Sequence, residues 1–330
     1  MGGSAYSTVG TSVNYYCSVD GAVFFVKVSP HRLHKPENAT FMPRTEISVM
    51  RVLKHYIIDR GLSPHIVEIL AQFDCTGISK YITNGDQCMR EQLNQTSRSF
   101  DIASVMCRFS ELIDEDVLAD SFSVLFAEYC NMVLDDFLHI HPPIIPHDRD
   151  ILIASIIFQI YYTLAVICDV LPSFRHGDLF LHNIMLIIDP NSADDSSYAG
   201  KYLRYTRNNR IWNVPFLGFY IKIIDFGYSE ITSLGINRAH TFGPRADDHI
   251  NFITSLERFI NDNPIYESSF IDALLRGLGQ RIMSPITPAA AASIRSKYQT
   301  PTEALDTDIF NIFEANVDDS KVINSYGESQ

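Results

Sequence analysis

Three polar side chains set among apolar neighbours carry the chemistry this sequence could do. The stretch HGDLFLHN at 176–183 offers a carboxylate, Asp178, and five residues later a carboxamide, Asn183. The stretch IKIIDFG at 221–227 ends an apolar run with a second carboxylate, Asp225, followed by Phe226 and Gly227. One carboxylate can accept or orient the proton of an acceptor hydroxyl. An amide oxygen and a second carboxylate are hard donors of the kind that hold Mg²⁺ against phosphates. A lone H-x-D is also what a polar turn between helix and strand looks like. Two such motifs in this order, each joined to an apolar strand (184–188 and 221–224), point instead to phosphoryl transfer.

The elements that must position these groups can be read from pattern. Residues 12–28 alternate and are rich in Val, Tyr and Phe, with Asp20-Gly21 between two runs, which predicts a hairpin. Lys27 lies inside its second strand; an outward lysine with its stem along the sheet is the plain alternative. Helical spacing runs over 44–59, opened by Arg44 or Thr45, with Glu46 in the first turn, where the helix dipole alone would favour it. Strands are expected at 65–73 and 122–129, a mixed insertion at about 74–120, and a short helix at 132–138. Prolines 142, 143 and 146 form a linker into a long helix from about Asp148 to Asp169. Asn208-Asn209 predicts a second hairpin within 189–220. Helices follow at 247–260, about 266–277, after Pro288, and from Thr302, which would be the N-cap. The last fifteen residues, 316–330, read as a loose acidic tail.

Composition narrows the function classes. The net charge of −13 argues against direct nucleic-acid binding, because no general basic field is available to collect phosphates. Six cysteines are scattered with no C-x-x-C, as for buried thiols in a reducing, intracellular compartment. The first thirty residues lack the charged start and apolar run of a secretory signal. Ile151–Cys168 is uncharged and of spanning length. Gln159, Tyr161, Tyr162 and the nearby His176 favour a buried core helix over a membrane span.

In order, these features are a hairpin with a lysine, a helix with an early glutamate, strands, an apolar helix, H-x-D-x-x-x-x-N, a strand and D-F-G. Over about residues 5–315 this resembles the protein-kinase fold, an α+β bilobal arrangement with a small β-rich lobe and a larger helical lobe. The resemblance implies a first lobe at 1–130 and a second at 131–315. It implies an ion pair of Lys27 with Glu46, Lys27 on the ATP phosphates, Asp178 as catalytic aspartate, and Asn183 and Asp225 as Mg²⁺ ligands. FAEYC would be the hinge, with the Glu128 carbonyl and Cys130 N–H on adenine and a small Ala127 guarding the back pocket. Gly10 and Val13 would belong to the phosphate loop, with GGSAYSTV at 2–9 as the other register, while His176 and Asp248 would brace the catalytic loop. The segment KYLRYTRNNRIWNVPFLGFYIKIIDFG and the closing TPTEALDTDIFNIF are similar to kinases of large nucleocytoplasmic DNA viruses, distantly including poxvirus virion kinases. That implies an enzyme in infected cytoplasm or in particles, acting on Ser/Thr of protein substrates.

The pattern is departed from at four points. Gly177 stands where the common motif has Arg, which predicts no activation-loop phosphate switch. Phe180-Leu181 replaces a lysine–proline pair, the glycine-rich loop is poor, and no A-P-E follows D-F-G. Two other readings follow: a degraded kinase serving as a binding or virion structural module, and a small-molecule phosphotransferase, which shares H-G-D.

Overall fold

The computed structural model describes residues 12–32, 42–77, 113–116, 118–140, 146–188, 200–237, 247–279 and 299–327. The expected loop glycine, Gly10, most of the 74–120 insertion and the helix after Pro288 lie outside them.

The chain is a mixed α+β protein with a sheet-rich first part. Strands β1 (Val13–Val19) and β2 (Ala22–Arg32) form a hairpin whose turn residues Asp20 and Gly21 both have positive φ, 51° and 83°. Such a two-residue turn matches the right-handed twist of the strands it joins. With β4 (Leu118–Glu128) and β3 (Ile69–Thr76) they make an antiparallel sheet in the order β1-β2-β4-β3. Helix α1 (Met42–Leu53) continues into a π turn at Lys54–Ile58. It begins ahead of the expected Arg44 or Thr45, and Glu46 therefore lies beyond its first turn. Thr45 is buried within the helix and does not cap it.

The expected strand at 65–73 divides in two. Residues 65–67 leave the first sheet and pair with β10 (Phe219–Ile223), where Ile66 bridges Ile223 in parallel and Val67 N donates to the Ile223 carbonyl at 3.0 Å. Only from Ile69 does the chain join β4. The expected helix at 132–138 likewise opens as a strand. Met132–Val133 (β5) pairs with β7 (Ile184–Ile188) before α2 (Leu134–Ile140) begins, giving the sheet β10-β7-β5, and β6 (Phe174–Arg175) pairs with β11 (Glu230–Ile231).

The long helix α3 (Pro146–Val170) is the centre of the core. Its segment His147–Val170 is long and apolar enough to cross a membrane, but 89% of its most apolar stretch is buried inside the protein. Phe158, fully buried, has Tyr205, Trp212, Phe310 and Phe313 within 5.3–5.6 Å between ring centroids. Tyr205 and Trp212 come from the second hairpin, β8 (Tyr202–Arg207) and β9 (Arg210–Pro215), turned at Asn208 and Asn209 with φ of 50° and 62°. Helices α4 (Asp248–Asp262) and α5 (Ser269–Leu278) extend the helical part.

The last stretch corrects two expectations. Helix α6 (Pro301–Asp306) is capped by Thr300, not Thr302, in a reciprocal box with Glu303. The residues before Thr302 were the better cap because Pro301 occupies the first helical position. Through Gly327 the tail is not loose: β12 (Val322–Gly327) pairs in parallel with β8. Arg204 bonds Asp319, and Arg210 binds Glu314 and the Leu305 and Thr307 carbonyls. Asp319, one of the acidic residues that suggested disorder, thus meets an arginine of the hairpin.

Candidate active site

Lys27 comes from the middle of β2, between buried Val26 and Val28, and its side chain is 15% exposed. Its Nζ donates to both carboxylate oxygens of Glu46 at 2.8 Å and lies 3.8 Å from Asp225 Oδ1. Glu46 sits on the same α1 face as buried Met50 and Leu53, so the apolar stripe aims it at the sheet. Burial works against the Lys27 charge, yet the Glu46 and Asp225 carboxylates outweigh it and hold its pKa above the ordinary value. Burial pushes the Glu46 carboxyl up against the pull of Lys27. The plain reading of an outward strand lysine is excluded by this geometry.

The loop at 176–183 is anchored by alternation. Leu179 and Leu181 are buried, leaving Asp178 and Phe180 half-buried and His182 exposed. Phe180 and His182 stack with centroids 5.8 Å apart and planes within 7°. Asn183 Nδ2 donates to the Asp178 carbonyl at 2.7 Å and to its carboxylate at 3.1 Å. That commits the amide nitrogen to the loop and leaves the amide oxygen as the acceptor. From α4, the buried Asp248 carboxylate accepts from His176 N at 2.7 Å and Gly177 N at 2.8 Å. The His176 ring meets the Ile224 carbonyl at 2.9 Å through Nε2, tying the loop to the strand that leads to Asp225.

Gly177 has a structural reason of its own. Its φ is +81°, and a Cβ there would lie 2.5 Å from the Tyr228 carbonyl oxygen. An arginine in this backbone conformation would collide with the turn after D-F-G.

Asp225 also has a left-handed backbone, φ 61° and ψ 73°, and its carboxylate accepts from Gly227 N at 3.3 Å. A non-glycine residue held there is costly, about 1–3 kcal/mol, and such residues cluster at functional sites. Burial would raise the Asp225 pKa, but Lys27, His176, the Gly227 N–H and His182 more than reverse it and keep the carboxyl ionised. Phe226, 1% exposed, packs on His176 at 5.0 Å and fixes the turn.

The lysine, the glutamate and the second aspartate edge a cavity of about 510 Å³, while Asp178 and Asn183 are not among its lining residues. Lys27, Glu46, Ala127, Glu128, Cys130 and Asp225 line it, as does His182. The first strand contributes Ser12, Asn14 and Tyr16. Val13 is placed only as backbone of β1, opposite Val28. Sequence reasoning passed over Met50, Val67, Leu125, Val133, Met185 and Ile224. Alternation within β4 could have signalled Leu125 beside Ala127. Among the described residues no cluster of three or more His, Cys, Asp or Glu could hold a metal. The Asn183 amide oxygen and the 44% exposed Asp225 carboxylate are instead a sparse oxygen pair. Such a pair fits a cation like Mg²⁺, which keeps several waters and takes its remaining ligands from phosphates.

No family model matches the chain. Two proteins of Acanthamoeba polyphaga mimivirus do, each named "Putative serine/threonine-protein kinase". One is 27% identical over 210 residues, covering 62% of this chain and 39% of its own length. The other is 29% identical over 238 residues, covering 64% of this chain and 54% of its own length. The chain is distantly kinase-like, related to proteins of a large DNA virus. It spans about two fifths and about half the length of these two relatives. The kinase-like relationship and the ion-paired lysine stand on independent observations.

Proposed function

We propose that this chain is a bilobal protein kinase that transfers the terminal phosphoryl group of ATP to Ser/Thr hydroxyls of proteins. The β1-β2-β4-β3 sheet with α1 is the smaller lobe, and the helical part built on α3 the larger. The observation that carries the reading is Lys27, held between Glu46 at 2.8 Å and Asp225 at 3.8 Å on the wall of the cavity. A buried ammonium so placed has charge to offer an anionic ligand, and it is fixed before the ligand arrives.

Lys27 binds the triphosphate. The Glu128 carbonyl and Cys130 N–H meet the adenine edge. Asp178, its backbone pinned by Asn183, orients the acceptor hydroxyl and takes up its proton as the oxygen attacks the terminal phosphorus and the bond to the bridging oxygen breaks, releasing ADP. Asn183 and Asp225 would hold Mg²⁺, which neutralises phosphate charge when bound. Asp248 keeps the loop in register through two N–H bonds. The viral relatives support a viral setting, and the compartment proposed with it is host cytoplasm or the particle.

The test is turnover of Mg²⁺-ATP with a generic protein acceptor. Asp178→Asn should lose roughly 10²–10⁴-fold in rate, the usual worth of a general base, while still being stabilised thermally by nucleotide. Equal activity in variant and wild type would remove Asp178 from its role. Phe180, stacked on His182 where kinases carry a lysine, favours a second reading: a nucleotide-binding module without transfer. That protein would show the thermal shift and no turnover.

A further inference from the structure

We propose that Lys222 is a positioning residue that fixes the end of β4 through the Glu128 carboxylate, and so sets a preference for ATP over GTP. This deepens the kinase reading and rests on it.

Lys222 lies on β10, three residues before Asp225, and is 8% exposed. It pairs across the sheet with Met185, a residue of the cavity wall, and the two leave the sheet on the same side. Its Nζ lies 2.7 Å from Glu128 Oε1 and donates to the Ile66 carbonyl at 3.5 Å. The same Oε1 accepts from Glu68 N at 2.7 Å, and Glu128 N donates to the Glu68 carbonyl at 3.0 Å. Three elements meet at this ammonium: the strand leading to Asp225, the segment that follows α1, and the end of β4.

A buried ammonium requires a carboxylate, and a carboxylate held by two donors cannot turn. Glu128 is therefore fixed through its side chain as well as its backbone, and the direction of its carbonyl is fixed with it. Adenine presents a donor (N6–H) beside an acceptor (N1). Guanine presents the reverse, O6 beside N1–H. A rigid carbonyl followed by the Cys130 N–H suits adenine and opposes guanine oxygen to oxygen. Discrimination of this kind depends on the reading groups being unable to rotate.

The experiment compares KM for ATP and GTP in the full chain. The variants are Lys222→Arg, Lys222→Met and the double Lys222→Met/Glu128→Leu. The double variant removes both charges, which buried pairs tolerate better than loss of one. Wild type should prefer ATP. Lys222→Met and the double variant should raise KM for ATP by about tenfold and shrink the ATP:GTP ratio, while Lys222→Arg retains it. A purely structural role would weaken both nucleotides equally. An unchanged ratio in the folded double variant overturns the proposal, as does a wild type indifferent to the base, or Arg behaving like Met. A wild type that shows neither Mg²⁺-nucleotide stabilisation nor turnover refutes the kinase reading itself. One that turns over ATP with a preference blind to Lys222 refutes only this inference.

Discussion

Acidification should destabilise this protein through one histidine. His65 is fully buried, with Nδ1 3.0 Å from the Ile221 carbonyl and Nε2 2.7 Å from the Tyr205 hydroxyl. The neutral ring satisfies both contacts: Nδ1–H donates to the carbonyl and Nε2 accepts from the hydroxyl. A second ring proton would face the hydroxyl, shielded from solvent and near the Lys222 ammonium. Burial first, and Lys222 with it, lower the His65 pKa to about 3 despite the Ile221 carbonyl. The unfolded chain takes up this proton below about pH 6.5. Because the folded-state value is depressed, the stabilisation is complete above pH 6.5 and is lost as pH falls toward 3. The slope is about 1.4 kcal/mol per pH unit, or about 2 kcal/mol between pH 6.5 and 5. Denaturant unfolding at pH 7.5, 6.5, 5.8 and 5.0 would measure it for wild type and His65→Gln. The variant starts less stable but should lose about 2 kcal/mol less over the lower range. His249, whose pKa burial also lowers, contributes equally to both proteins and cancels in the comparison. Parallel pH profiles would refute a buried neutral His65.

Other perturbations have defined outcomes. Gly177→Ala should lower the thermal midpoint by several degrees, about 2 kcal/mol or more, because the left-handed backbone and the Tyr228 carbonyl both oppose a Cβ. Lys27→Met leaves the nearly buried Glu46 carboxylate without its partner. It should cost about 3–5 kcal/mol and abolish the Mg²⁺-ATP thermal shift, readable in one melting series. Ala127, 1% exposed on the cavity wall, should admit an adenine-analogue inhibitor with a bulky ring substituent. Ala127→Phe should then weaken that compound far more than its unsubstituted parent in a displacement assay. Phe158→Ala should cost about 3–5 kcal/mol, since its ring meets four other aromatic rings from the hairpin and the 308–313 turn.

Hairpin turns and long apolar runs were legible in the sequence because they are local. Asp20-Gly21 and Asn208-Asn209 adopt the positive φ values their residue types suggest. The uncharged run at 151–168 could be read as core before any partner was known. What could not be read depends on distant contacts. Residues 65–67 look like the start of β3, but their backbone partners lie on β10, more than 150 positions away. The acidic end looked unstructured because the strand and the arginine that receive it, β8 and Arg204, sit on a hairpin a hundred residues earlier. At the site, residue types and order pointed to Lys27, Glu46 and Asp225, which the fold brings together, and the apolar wall was missed. Met185 and Val67 are chosen by the shape of the cavity, not by their own chemistry. Gly177 shows the opposite limit. Its residue type suggested a missing regulatory arginine, whereas the structure gives a steric reason that no local pattern contains.

The parallel pairing of β12 with β8 has a consequence for biosynthesis. The β8–β9 hairpin leaves the ribosome with Pro215, whereas its third strand starts at Val322, roughly a hundred residues later. At 5–20 residues per second the free edge of β8 waits about 5–20 s for its neighbour. During that interval it is an open template for any other extended chain. Expression yield should therefore depend on how fast translation runs between those two points, and slow codons there should favour inclusion bodies.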